Sequence, residues 1–245
     1  MSRVVSLVPS ITELVCDLGL AGELVGRTGF CIHPREIVRG IPKVGGTKDV
    51  DLAKVRALRP THAIVNVDEN RKETADALAA FVPSVIVTHP LAPLDNLALY
   101  RLIGRTFGAQ ERAEELCRKF RQEYEKVLLQ TFPKRNVLYL IWKDPWMTVS
   151  RDTYISRTLA LFGIQTLPVE EAARYPKLAL TETWLEEVEL VLLSSEPYRF
   201  RQPHVEEMRN FLGKPARIID GAMTSWYGSR AIRGLAYLAN FSRSL

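Results

Sequence analysis

The stretch that most limits what this chain can fold into is Gln110 to Thr131. Its apolar positions, Ala113, Leu116, Cys117, Phe120, Tyr124, Val127 and Leu128, fall at helical spacing with charged residues on the opposite face. At about 1.5 Å per residue such a helix spans roughly 33 Å, about the width of a small domain, and Pro133 stops it. On both sides of it, short apolar runs alternate with helical patterns. Val4 to Val8, Leu24 to Thr28, Ala63 to Val67 and Val85 to Val87 read as strands before it, with helices near Ile11 to Leu18, Leu52 to Leu58, Lys72 to Phe81 and Leu94 to Phe107. After it come Asn136 to Ile141, Met147 to Val149, Leu190 to Leu193 and Arg217 to Ile219. The helices between them run Tyr154 to Phe162, His204 to Leu212 and Ser229 to Phe241.

Such alternation predicts parallel sheets flanked by helices. The expected architecture is α/β: two Rossmann-like lobes, residues 1–109 and 133–245, joined by one long backbone helix over 110–132, with a ligand cleft between the lobes. A continuous helix resists bending, so the expected cleft is largely preformed. The 245 residues, 47% of them apolar, are ample for two cores.

Several function classes are excluded. No apolar run approaches the roughly 20 residues of a membrane span, so membrane insertion is not expected. The net charge of +5 is spread among acids, as in RAEELCRKFRQEYEK, which argues against a nucleic-acid surface. Cys16, Cys31 and Cys117 are odd in number and scattered, as expected of reduced thiols. GxSxG, GxGxxG and HExxH are missing, and VGGTK falls short of a phosphate-binding loop, so no enzyme is expected and no catalytic residue is assigned. The start at Arg3 without an export signal gives a cytoplasmic protein as the expectation, or a periplasmic one if a signal precedes Met1.

Open α/β sheets bind ligands at the carboxyl ends of their strands. Here those loops are Pro9-Ser10, Gly29 to Pro34 with Phe30 to His33, Gly45-Gly46-Thr47 and Asn66 to Asn70, then Trp142 to Trp146, Ser194 to Phe200, and Gly221 to Arg230 with Trp226. Rings gather there, and such rings suit a large, flat, partly polar ligand. Ser10 and Glu13 are spaced as a capping box, which predicts Ser10 as the N-cap of the first helix. The glycines Gly45 and Gly46 predict a tight turn with close backbone approach. Residues 30–47 read as one long loop. No set of ligands holds a bare metal ion, and His33, two residues from Cys31, reads as an ordinary loop histidine, with an axial bond to a metal already chelated as the alternative. Arg230 reads as a partner for a ligand anion or amide, or as an ion pair of the protein's own. Glu73 and either Glu206 or Glu207 lie on helix faces, and read as solvated surface carboxylates or, as the alternative, as knobs that dock a partner.

The opening RVVSLVPSITELVCDLGL, the segment LVGRTGFCIHPREIVRGIPKVGGTKDVDLAKVRALRPTHAIV, the long spine and the late SWYGSR resemble the helical-backbone solute-binding proteins of ABC importers, nearest to their corrinoid-binding branch. The resemblance covers nearly the whole chain. It implies a non-enzymatic, monomeric receptor for a corrinoid such as cobalamin, or a related metal chelate, with no cofactor of its own. Haem or ferric-siderophore binding is the alternative, as is a cytoplasmic corrinoid carrier, sensor or salvage enzyme on the same scaffold. It further implies ligand contacts from Pro9, Ser10, Phe30, Cys31, His33, Gly45, Gly46, Thr47, Trp142, Trp146, Trp226 and Arg230, to which the aromatic loop adds Tyr198. Glu73 and Glu206 or Glu207 would then dock the permease.

Overall fold

A computed structural model describes residues 2–169 and 172–245. The chain divides into two compact units. The first holds the chain to Pro90, Leu94–Lys119 and Tyr227–Arg230; the second holds Leu91–Pro93, Phe120–Trp226 and Ala231–Leu245.

In the first unit, β1 (Val4–Ser6), β2 (Leu24–Arg27), β3 (His62–Asn66) and β4 (Ser84–Thr88) form a parallel sheet in the order β2-β1-β3-β4. Val4 to Ser6 and Ala63 to Asn66 are buried, as expected for central parallel strands. On the edge strand β4, Val87 is 55% exposed. The core gathers Val5, Leu7, Val44, Val55, Ala63, Val65, Leu78 and Val82. Helices α1 (Pro9–Asp17), α2 (Arg35–Val38), α3 (Leu52–Ala57), α4 (Lys72–Ala79) and α5 (Asp95–Thr106) connect the strands and lead into the spine, α6 (Gln110–Leu128). Asp51 caps α3 by accepting from the Lys54 amide at 3.0 Å. The expected spine is a single helix, its face set by buried Ala113, Cys117, Phe120 and Val127.

The second unit repeats the plan with β5 (Arg135–Leu140), β6 (Ile164–Leu167), β7 (Leu190–Ser194) and β8 (Ala216–Ile219) in the order β6-β5-β7-β8, all parallel. Its helices are α7 (Tyr154–Ala160), α8 (Gln202–Leu212), α9 (Gly221–Ser225) and α10 (Arg230–Arg243). Thr153 caps α7 and Asp220 caps α9 through side-chain oxygens, and Gly213 ends α8 at φ 64°.

Three expectations change. The loop over residues 30–47 contains the short helix α2 and isolated bridges, Arg27 to Lys43 and Gly45 to Val50. Met147 to Val149 is not a strand: Met147 makes only single bridges, to Trp142 and Lys177. Strand β6 and the five-residue α9 went unread because each is too short for a period to show. Among the described residues no helix is long and apolar enough to cross a membrane.

Candidate functional site

The capping box does not form. Helix α1 starts at Pro9, with Val8 in the N-cap position and no side-chain cap. Pro9 suits that place because its missing N–H would have had no partner. Ser10 therefore sits inside the first turn, 3% exposed, its hydroxyl without a hydrogen-bond partner among the described residues. Glu13 turns away to Arg230, whose Nε and Nη2 donate to its two carboxylate oxygens at 2.7 and 2.9 Å. Both side chains are buried, at 9% and 5% exposure.

Arg230 is one end of a short strap that belongs to the first unit. Tyr227 donates its hydroxyl to Glu69 at 2.6 Å, the Gly228 amide donates to Asn96 at 2.6 Å, and Tyr100 donates to the Gly228 carbonyl at 2.9 Å. Gly228 has φ 86°, which favours glycine, and a methyl group there would sit a tight 3.2 Å from the Ser10 carbonyl. Four residues late in the sequence are thus locked onto α1, α5 and the loop after β3.

Cys31 is fully buried beside α1. Its thiol meets Thr12 and Thr28 hydroxyls at 3.1 Å each, and the Thr12 hydroxyl lies within hydrogen-bond distance of the Ser6 hydroxyl and the Val8 carbonyl. This knot pins the turn to β1 and leaves its neighbours outside: Phe30 is 62% and Ile32 53% exposed, and His33 is half-buried. Burial raises the Cys31 thiol, against the lowering effect of the two threonine contacts. Burial first, then Asp17 and Glu13, push the Cys16 thiol from 9.0 up to about 11. Both thiols are expected to ignore a thiol reagent at neutral pH until the protein unfolds. Because the unfolded chain releases the Cys16 proton near 9 and the folded chain only near 11, stability should fall as pH rises through that window. Urea titrations at pH 7, 9 and 10.5 check it; a midpoint constant over that range contradicts it.

Gly45 adopts φ 102°, and a methyl group there would strike the Asp49 carbonyl. The close approach is therefore to the protein's own turn, closed by the Gly46 amide on Asp49 at 3.0 Å and the Gly29 amide on Gly45 at 2.8 Å. Gly45→Ala is expected to cost about 1–3 kcal/mol, from a strained φ in a crowded turn, read by thermal melting. A melting point equal to that of the parent chain would contradict it. Gly46 lies under Phe30, where a methyl group would come within 3.4 Å of the ring. Thr47 accepts from Asn70 at 2.9 Å, and Asn70 and Asn66 together bind the loop after β3 to Leu7, Thr88, Asp68 and Glu69.

In the second unit the rings do assemble. Trp142, 40% exposed, meets Tyr198 edge-on at 5.6 Å; Tyr198 contacts Phe200 at 4.6 Å; and Phe200 stacks on Trp146 at 6.1 Å. Lys143 lies over Trp146 at 5.3 Å and reaches both Glu207 oxygens at 2.7 and 2.6 Å. Trp226, only 8% exposed, gives its indole N–H to Glu196. The exposed candidates are thus Phe30 and Trp142, with His33, Gly45 to Thr47, Trp146 and Tyr198 partly open. Pro9, Ser10, Cys31, Trp226 and Arg230 are buried. The sequence reading places Asn66 to Asn70 and Ser194 to Phe200 on strand-end loops but gives Asn66, Asn70 and Glu69 no role of their own; here they bind the loop after β3 in place. Among the described residues no group of three or more His, Cys, Asp and Glu could hold a metal ion.

Two four-stranded parallel sheets, a spine helix and rings at strand ends describe a binding protein, and the chain belongs to the periplasmic binding protein family, whose model matches residues 4–181. Among its relatives, the vitamin B12-binding protein of Yersinia pestis (strain Pestoides F) is 24% identical over 201 residues, covering 78% of this chain and 69% of that protein. The uncharacterized ABC transporter substrate-binding lipoprotein YvrC of Bacillus subtilis (strain 168) is 25% identical over 167 residues, 64% of this chain; the match spans about half, 52%, of YvrC. In fold the chain is similar to the periplasmic vitamin B12 binding protein BtuF of Vibrio cholerae, with a TM-score of 0.86 at 13% identity over 99% of this chain and 97% of that one. A periplasmic heme binding protein from Pseudomonas aeruginosa gives 0.83 at 20% identity, over 99% and 93%.

Proposed function

We propose that this protein is a non-enzymatic solute-binding protein of an ABC importer, and that its ligand is a corrinoid or a closely related metal chelate. The observation that carries this reading is the family match over residues 4–181. Relatives named for vitamin B12 binding favour the corrinoid, and the likeness in fold to a heme binding protein gives the second reading, haem. The contacts are assigned first to Phe30 and Trp142, whose exposed rings offer apolar faces to a macrocycle. Cys31 acts behind Phe30, pinning its turn through Thr12 and Thr28, while Ser10, Trp226 and Arg230 are buried.

A spectral titration of the full chain with cobalamin, cobinamide, haem and a ferric siderophore tests the reading. A corrinoid is expected to bind below about 10 μM, roughly −7 kcal/mol. Haem binding alone would move the assignment to the second reading, and binding of none would end both.

For docking to a permease we assign Glu73 on α4 and Glu206 on α8. Both are exposed, and neither is in an ion pair among the described residues, whereas Glu207 is held by Lys143. The same reading places the working protein outside the cytoplasmic membrane, on the model of its periplasmic and lipoprotein relatives. Reconstituted with its permease, E73A and E206A should each lower transport while leaving ligand affinity unchanged. E207A serves as the control, and loss of transport in E207A alone would reverse the choice.

A further inference from the structure

Strand β4 closes one side of the first sheet, and its backbone shows which residues face outward. The Ser84 amide donates to the Thr61 carbonyl at 3.1 Å and the Val67 amide to the Thr88 carbonyl at 3.1 Å, in an unbroken register with β3. Parallel pairing alternates, so Ser84, Ile86 and Thr88 turn their backbone groups to β3 while those of Val85 and Val87 point away from the sheet. Among the described residues no strand or bridge takes up that side. The other edge strands are guarded. Strand β2 carries Arg27 and is bridged to Lys43, β8 carries Arg217, and on β6 the Thr166 carbonyl accepts from Arg151 at 3.2 Å. Strand β4, Ser-Val-Ile-Val-Thr, has neither charge, proline nor bulge, and its Val87 is 55% exposed.

We infer that this edge is an interaction surface for a second copy of the chain, the two β4 strands pairing antiparallel about a twofold axis through Ile86. The occupant follows from the strand itself, because Ser84 to Thr88 reads alike in both directions by residue type: hydroxyl, Val, Ile, Val, hydroxyl. In that register each Val85 faces the partner's Val87. These are the residues whose backbone groups point outward, so each pair exchanges both of its N–H···O=C bonds. Ile86 meets the partner's Ile86 as a non-hydrogen-bonded pair, and the exposed Val87 side chain packs against the partner's Val85. Centring the axis on Val85 would set Val87 against Pro83, which has no N–H to give, and centring it on Val87 would carry Val85 past the end of β4. No like charges oppose one another across the two strands. Five residues extend only about 17 Å, so the contact is smaller than a standard interface and the association is weak and reversible. It stops at two copies, because the twofold pairing occupies the edge of both.

Sedimentation velocity of the full chain from about 10 μM to about 1 mM tests the pairing, with a dimer expected at a Kd on the order of 100 μM. V87K, which puts a charge on the open edge, should weaken it at least about tenfold. L129K also replaces an exposed apolar residue and should leave it unchanged. If V87K does not fold, cysteine cross-linking still decides. The Cα atoms of a non-hydrogen-bonded pair are about 4.5 Å apart, within disulfide reach, whereas the two Val85 positions, as diagonal neighbours, lie about 7–8 Å apart and beyond it. Under mild oxidation I86C should therefore form a covalent dimer and V85C should not; the three native cysteines are buried and do not compete. A parent chain that stays monomeric to about 1 mM overturns the inference. So does a dimer that V87K weakens no more than L129K does, or cross-linking of V85C as fast as of I86C. Every one of these readings is taken without ligand, so the pairing stands or falls apart from the chelate-receptor reading.

Discussion

Arg230→Met, with Glu13 left in place, is expected to lower the unfolding free energy by about 3–5 kcal/mol, the cost of leaving a buried carboxylate without its partner. Glu13→Leu should cost a similar amount for the opposite reason. The double variant should recover most of the loss, because two apolar side chains of similar volume replace two charges that both had to be dehydrated. The expectation rests on geometry: two bonds at 2.7 and 2.9 Å, with both side chains under a tenth exposed. It also rests on position, since Arg230 fastens the strap whose Tyr227 and Gly228 bond to Glu69, Asn96 and Tyr100. Urea denaturation of the three variants measures the coupling directly. Single variants that lose less than about 1 kcal/mol would mean that water reaches the pair and that the strap holds without it.

Trp142→Ala should act almost entirely on binding. Its ring is 40% exposed and meets its neighbour Tyr198 edge-on, so the fold loses little, while a ligand loses a broad apolar face. Aromatic anchors of this kind are worth about 2 kcal/mol or more on truncation, so affinity for the corrinoid should fall by about thirtyfold. Trp146→Ala makes the contrast. That ring is stacked on Phe200 and covered by Lys143, so its loss should appear in the melting temperature before it appears in affinity. A Trp142→Ala protein that binds cobinamide as the parent does would take Trp142 out of the site and leave the aromatic cluster with a purely structural role.

The two lobes and the spine were legible because they repeat. A helix of nineteen residues shows its period five times over, and a parallel strand buried on both faces must be a run of apolar residues. The candidate rings were legible too, as aromatic residues in loops after strands. What each ring does was not. Trp142 and Trp226 look alike in sequence, yet one is 40% exposed and the other 8%, with its N–H given to Glu196. Glu13 misled for a similar reason: its spacing from Ser10 fits a local cap, and a partner 217 residues away outcompeted it.

Taken alone, the sequence determined the class of fold, the spine and the strand-end loops where rings gather, because these follow from local periodicity and from the chain order of strands and helices. The tertiary structure decided which of those loop residues are presented and which are spent. Burial depends on neighbours brought from far along the chain, and a charge or an indole N–H out of reach of water must take its partner from among them. That is why Arg230 binds Glu13, why Lys143 claims Glu207 and leaves Glu206 outside any ion pair among the described residues, and why Trp226 gives its indole N–H to Glu196.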